Sequence, residues 1–499
     1  MNPDALIGLA QASGFLVLLA TGVGVFVGLV VGMIPGMTIS TGIIVVLPVT
    51  FVLPADISIA LLLGLYVGGM TGGSFSAVLL NIPGTPSASA TAMDGFPMAK
   101  RGEAGRALGI AITASFVGGM FSFFSLLFIA PLLARVALEF RTEDMFSLVL
   151  FGLTIICSFA ARSLVKGLLS AALGLAIVTV GQDPVMGTAR FTFGQVNLLP
   201  GVHFLTAMIG LFAIPQLMEN LMSTEVGSRA QARIVSVLPN LKDLKAIKMP
   251  VFIGSITGAF LGILPGAGGP IAAFISYDYT RKASKNPDQF GKGCAEGVAA
   301  PEAANNAVTG GALIPMMTLG IPGDPVTAIL IGALMIHGLA PGPLLFIERG
   351  DFAYGIIFSF FWANIFNFII AILGVRVLVK LLATPRSLLM PTVAVLCVIG
   401  SYALRNNFFD VYTMLFFGFV GLAMRWLDMP VVPMLLALVL GGPLEENLRV
   451  ALIASKGSIW IFFASPISLA FLGLSVLSIV WSLKSNRNKI NNPQRETKK

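Results

Sequence analysis

Two short stretches carry residue types that a lipid-embedded chain holds only where they do something. The first is Asn81-Ile82-Pro83-Gly84-Thr85-Pro86, followed by Ser87; the second is Gly320-Ile321-Pro322-Gly323-Asp324-Pro325. Proline removes a helical hydrogen bond and glycine permits the turn, so each stretch predicts a broken helix. A helix that starts after a break offers free N–H groups and a positive dipole end, which suits an anion. A helix that stops before one offers free carbonyls, which suit a cation such as Na+. Two such breaks facing each other would hold a carboxylate and a coupling ion together. A plain loop is the alternative for one break, and its recurrence in matched form weighs against it. Upstream of the second break lie Glu302, Asn305, Asn306 and Thr309. An ionisable group at membrane depth is costly and is a functional candidate by default. Glu302 could bind a cation or carry a proton; the alternative is a helix cap wetted at a hairpin mouth. Asn305, Asn306 and Thr309 fall at helical spacing facing the break, to hold a substrate or to tie helices together. Ser87, Ser89 and Thr91 would line the pathway or only pack. Asp324 stands where the first copy has Thr85, and a carboxylate there tolerates an anionic solute only with a cation to screen it.

The composition says where such stretches reside. Of 499 residues, 56% are hydrophobic and 11% charged, with mean hydropathy +0.91, against about 25% charged in a soluble domain. At about 20 apolar residues per crossing, roughly a dozen spanning or re-entrant segments fit. Lys and Arg, giving a net charge of +8, gather in short loops and the tail, as on the cytoplasmic side of membrane proteins; nucleic acid is not the partner they imply. No basic stretch precedes the first apolar run, Phe15 to Ile34, so a retained helix is expected rather than a cleaved leader. Cys157, Cys294 and Cys397 lie far apart and read as inert thiols. His203 and His337 are isolated, and neither a phosphate-binding loop motif nor a GxSxG is present. No cofactor, resident metal or enzyme activity is therefore expected.

The elements that position the breaks occur twice. Gly24, Gly28, Gly32 and Gly36 are spaced by four and close with Pro35-Gly36; Gly254, Gly258, Gly262 and Gly266 close with Pro265-Gly266. Such a stripe lets another backbone approach closely, and its repetition indicates an internal duplication. The resulting division is a first repeat over 1–221, a basic cytoplasmic linker over 222–250, a second repeat over 251–483 and a basic cytoplasmic tail over 484–499. Within the first repeat, Ile57 to Ile82 is expected as a glycine-interrupted helical hairpin and Thr85 to Met98 as a buried crossing. Loop charges switch sides between the halves: Pro54 to Asp56 lacks a cation where Arg281 to Lys292 is basic, and Lys100 to Arg106 is basic where Pro341 to Asp351 is nearly neutral. That pattern predicts inverted repeats, with the N-terminus periplasmic and the C-terminus cytoplasmic if Met390 to Leu404 crosses. The expected fold is an all-α polytopic membrane protein of about 12 segments in two inverted repeats, each with a re-entrant or broken helical hairpin.

At four places the sequence resembles the large membrane subunit of the tripartite tricarboxylate transporters: Gly28 to Gly36 (GLVVGMIPG), Tyr66 to Gly73 (YVGGMTGG), Asn81 to Gly84 (NIPG), and Gly291 to Gly311 (GKGCAEGVAAPEAANNAVTGG). The resemblance covers nearly the whole chain. It implies a bacterial inner-membrane uptake system for citrate and other small carboxylates, coupled to Na+ or H+. It further implies two partners, a small membrane subunit and a periplasmic solute-binding protein. Asp324 departs from the pattern, since a small residue such as serine is expected after the second IPG, and this implies a substrate differing in charge from citrate. The leading reading is a secondary transporter working by alternating access. A channel or facilitator without ion coupling would need a continuous polar path. An intramembrane enzyme would need a nucleophile–base pair or a metal triad, and a scaffold would have no use for two costly breaks.

Overall fold

The computed structural model describes residues 3–34, 37–160, 163–184, 186–222, 237–382 and 386–491. The Pro35-Gly36 close of the first ladder, positions 223–236 of the linker and 492–499 of the tail lie outside the described residues. The chain is an α-helical, multi-pass membrane protein. In order its helices are α1 (Pro3–Ala12), α2 (Phe15–Met33), α3 (Ile39–Thr50), α4 (Ala55–Leu80), α5 (Ala88–Lys100), α6 (Ala104–Ala137), α7 (Thr142–Ala160), α8 (Leu164–Val178), α9 (Phe204–Met222) and α10 (Leu241–Ile263). Then follow α11 (Gly268–Ala283), α12 (Ala295–Leu319), α13 (Pro325–Ile336), α14 (Leu345–Glu348), α15 (Gly350–Leu381), α16 (Arg386–Ala403), α17 (Phe408–Trp426), α18 (Val431–Ala454), α19 (Ile461–Ala464) and α20 (Pro466–Asn491). Among the described residues, seven of these are long and apolar enough to cross a bilayer: α2, α4, α6, α10, α15, α17 and α18. Their outward faces keep large apolar side chains exposed, such as Phe15 and Leu19 on α2 and Phe124, Phe128 and Leu132 on α6. In lipid that exposure carries no penalty, because tails are as apolar as the side chains.

The helices form two compact units, each assembled from two separate parts of the chain. One joins Met1–Arg135 with Gln216–Leu404, and the other joins Val136–Pro215 with Arg405–Lys499. In the second unit, Gly174 abuts the Met434 carbonyl and Gly210 the Met414 carbonyl. A two-residue antiparallel pairing, Gly181 opposite Arg190, follows α8, and Arg190 reaches Glu445 at 2.6 Å.

The first unit contains both glycine ladders, and both do the same work. A Cβ at Gly24, Gly28 or Gly32 of α2 would overlap the backbone carbonyl of Leu61, Leu65 or Gly69 on α4. A Cβ at Gly254, Gly258 or Gly262 of α10 would likewise meet the carbonyl of Ala300, Ala304 or Val308 on α12. The opposed residues Leu61 and Ala300, Leu65 and Ala304, and Gly69 and Val308 are each 239 positions apart, so one packing arrangement recurs step for step. The ladder offset is 230, as between Gly24 and Gly254. The extra nine residues are taken up in the longer α11 and the connection after it.

One expectation is corrected here. Ile57 to Ile82 is not a hairpin: α4 runs unbroken for 26 residues. Its glycines, read as interruptions, are contact points instead, Gly68 lying against the Val25 carbonyl and Gly72 against that of Leu29. Glycine inside a helix weakens it in water, but here the missing Cβ admits a second backbone. Helix α1, by contrast, was not expected; it is short and seats Gly8 on the backbone of α15 at Asp351 and Gly355.

Candidate functional site

Each break starts with a left-handed residue. Asn81 (φ +58°) ends α4 and Gly320 (φ +67°) ends α12. They are 239 positions apart, like the ladder partners. Asparagine is the side-chain-bearing residue best able to replace glycine there, so Asn81 has a conformational reason to be present. Asn81→Gly is expected to unfold within a degree or two of wild type, whereas Asn81→Leu loses about 1–2 kcal/mol, measured as a lowered thermal midpoint in detergent. Gly84 then passes so close to the Gly32 carbonyl and the Ser76 hydroxyl that no Cβ fits. A Cβ at Gly323 would lie 2.7 Å from Ala312 Cα and 2.8 Å from the Gly262 carbonyl, and its own carbonyl accepts the Gly266 N–H at 2.9 Å. Each break is thus folded onto the ladder of its own half. The first is partly wetted, with Asn81 and Pro86 exposed and Pro83 half-buried, while Ile321, Pro322, Gly323 and Asp324 are all buried.

The helices that follow the breaks differ at their starts. Asp324 caps α13 itself: its carboxylate accepts the Thr327 N–H at 2.8 Å and the Thr327 hydroxyl at 2.9 Å, and its N–H is answered by Thr327 Oγ1 at 2.9 Å. The Tyr66 hydroxyl from α4 donates to the other carboxylate oxygen at 2.5 Å. The expectation that a helix restarting after a break offers free N–H groups to an anion is therefore corrected for α13, since a chain carboxylate already holds its positive end. At α5 no side chain caps the start. Thr85 and Ser87 are buried there with hydroxyls 3.1 Å apart, and the first N–H groups make only i→i−3 bonds of 3.0 to 3.4 Å.

Glu302 is fully buried in the middle of α12, which removes the wetted-cap alternative. Its carboxylate accepts the Thr91 hydroxyl at 2.6 Å and the Ser115 hydroxyl at 3.1 Å. From there a chain of donors runs outward. Asn306 Nδ2 donates to Ser115 Oγ at 2.8 Å, Thr71 Oγ1 to Asn306 Oδ1 at 3.0 Å, and Asn367 Nδ2 to Thr71 Oγ1 at 2.8 Å. Thr309 bonds the carbonyl of Asn306 at 2.5 Å. Asn306 is therefore engaged at both ends of its amide and ties α12 to α4 and α6. Asn305 is different: Nδ2 donates to the Met70 carbonyl at 3.1 Å, but Oδ1 is buried and has no partner among the described residues. Next to that oxygen sits Gly269, where a Cβ would lie 2.7 Å from it and 3.6 Å from Ser87 Oγ. Asn305, Ser87, Thr85 and the start of α5 thus come together, while Glu302, Asn306 and Thr309 form an adjoining polar core.

The sequence reading missed Ser115, Asn364, Asn367 and Asp94. The two asparagines are legible in retrospect as an i, i+3 pair inside an otherwise apolar helix. Asp94 is buried on α5 and accepts N–H groups from Gly291 (3.0 Å), Gly293 (2.7 Å) and Cys294 (2.9 Å). It also accepts the Tyr277 hydroxyl at 2.8 Å. It staples the middle of α5 to the connection that enters α12, and so fixes the helix whose start has no side-chain cap. Asp94→Ala strands four donors, three N–H groups and the Tyr277 hydroxyl, at about 1–3 kcal/mol each, and is expected to lower the yield of monodisperse protein by size-exclusion chromatography more than any single hydroxyl-to-alanine change at Thr85 or Ser87.

The model of the tripartite tricarboxylate transporter TctA family matches residues 18–436, which include both ladders and both breaks. An uncharacterized 52.8 kDa protein in the TAR-I ttuC' 3' region of Agrobacterium vitis is 38% identical over 472 residues, covering 94% of each chain. An uncharacterized protein in the TAR-II ttuC' 3' region of the same organism is 39% identical over 237 residues, covering 47% of this chain and 98% of its own. No solved structure matches the chain significantly. The family is one of transporter subunits rather than enzymes, and its name implies a carboxylate substrate and further subunits. With paired glycine ladders, two broken helices and a family match across most of its length, this chain belongs to the tripartite tricarboxylate transporter TctA family.

Proposed function

We propose that this chain is the solute-conducting subunit of a secondary uptake system for small carboxylates in a bacterial inner membrane. The observation that carries the reading is the asymmetry of the two breaks: one restarting helix is capped by Asp324, and the other, α5, starts with no side-chain cap beside the Asn305 oxygen, which has no partner among the described residues. A substrate carboxylate seated at the start of α5 meets the Thr85 and Ser87 hydroxyls and the positive helix end. Burial of Glu302 and Asp324, with no Lys or Arg bonded to either among the described residues, supports cation coupling, by Na+ or H+, because an anionic solute entering this region needs positive charge with it.

The finer architecture follows the same reading. About 12 segments form two inverted repeats, the N-terminus periplasmic and the C-terminus cytoplasmic, and access alternates between the two sides. A periplasmic binding protein delivers the solute and a small membrane subunit completes the system. The test is uptake of labelled di- and tricarboxylates into proteoliposomes holding both membrane subunits, with binding protein added and Na+ or H+ gradients imposed separately. Accumulation driven by one gradient supports the reading. Gradient-independent equilibration would favour a facilitator, and no flux of any carboxylate would overturn it.

A further inference from the structure

Among the described residues of the first unit, three buried amide oxygens have no hydrogen-bond partner: those of Asn305, Asn364 and Asn367. Their nitrogens are all committed as donors, to the Met70 carbonyl, the Phe360 carbonyl and Thr71 Oγ1 respectively. That fixes which end of each amide is oxygen. Asn364 and Asn367 are both fully buried, one turn apart on the same face of α15. Asn364 Oδ1 rests against Gly119 of α6, where a Cβ would overlap it, and the Asn367 amide faces Thr71 of α4; a buried acceptor left without a partner is costly, and two on one turn at this helix junction call for a donor or a cation.

The adjoining network has a direction. Asn367 donates to Thr71, Thr71 to Asn306, Asn306 to Ser115, and Ser115 to Glu302. Every dipole in the chain is aligned, with its positive ends toward the carboxylate and its negative end at Asn367 Oδ1. Aligned bonds polarise one another, so the open oxygen at the far end is a stronger acceptor than an isolated amide. An amide oxygen takes no proton near neutral pH, so a proton cannot answer it. Neutral oxygen donors with one carboxylate at the other end of the chain suit a hard cation of single charge; a divalent ion would call for more carboxylates.

We propose that Asn364 and Asn367, with the Thr71 hydroxyl between Asn367 and Asn306, form a monovalent metal-cation site on α15, coupled through Thr71, Asn306 and Ser115 to Glu302. This rests on the transport reading and names the site where its metal ion sits. The test needs no transport: thermal unfolding of the purified full chain, titrated with NaCl or KCl against choline chloride at constant ionic strength. A saturable rise in midpoint with Na+ or K+ but not choline is expected. Asn367→Leu should move the half-saturating concentration up at least tenfold. Asn364→Ala, which leaves the Asn367–Thr71 bond intact, should do the same if the leucine variant does not fold. Glu302→Gln, at the far end of the chain, should weaken the response less than either. An unchanged half-saturating concentration in the asparagine variants overturns the site, and means that buried water fills these oxygens. No metal response in wild type also overturns it, while gradient-driven carboxylate uptake by that same protein would leave the transport reading standing with protons as the coupling ion.

Discussion

Gly28→Val is expected to leave almost no folded protein in the membrane, while Gly22→Val, less than two turns away on the same helix, is expected to behave as wild type. A Cβ at Gly28 would overlap the Leu65 carbonyl and lie 2.8 Å from the Gly69 nitrogen on α4, whereas nothing lies within 4 Å of a Cβ at Gly22. The obstruction is backbone, so no rotamer change relieves it. Ordinary overpacking costs about 1–3 kcal/mol where side chains can shift, and a rigid carbonyl facing a β-branched residue puts this position beyond that range. Gly258→Val should fail in the same way, since its Cβ would overlap the Ala304 carbonyl. Extracted protein level and monodispersity by fluorescence-detected size exclusion provide the measurement. A well-folded Gly28→Val protein would mean that the two helices are not in backbone contact.

Glu302→Gln is expected to abolish gradient-driven uptake while the protein stays folded. The amide has the size of the carboxylate and keeps an oxygen for the Thr91 or Ser115 hydroxyl, but it brings no charge. Removing a buried charge that has only hydroxyl partners is neutral or stabilising, so the unfolding midpoint should hold or rise. Initial uptake rates should fall by at least about tenfold, equivalent to about 1.4 kcal/mol. Glu302→Leu is the contrasting variant: it strands both hydroxyls and should lose stability as well as transport. Near-normal uptake by the glutamine protein would show that Glu302 only holds α5, α6 and α12 together.

How much of this could be read from the residues depends on whether the cause was local. The breaks were legible because proline and glycine act on their own backbone, and the ladders because a spacing of four survives any tertiary context. The single 26-residue α4 was misread for the opposite reason: what keeps Gly68 and Gly72 helical is α2, a different part of the chain. The closure of α13 hides in one substitution, Thr85 against Asp324, whose meaning depends on Thr327 three residues on and Tyr66 on another helix. Asp94 gave no signal, because the three N–H groups it gathers come from a loop some 200 residues later.

The backbone-to-backbone seams have a mechanical consequence. Carbonyls seated in glycine notches at every fourth residue leave α2 and α4, or α10 and α12, no intermediate position along their length; a slip would have to cover a whole notch, about 6 Å at 1.5 Å per residue. Each pair is therefore one rigid plank. Any displacement within this unit would fall instead to the joint between the planks, where Thr71 bonds Asn306 and Asn305 bonds the Met70 carbonyl, with Tyr66 bonded to Asp324 at the start of α13 beside it. Those contacts can be exchanged one at a time, and one of them ends at an oxygen still free to choose its partner.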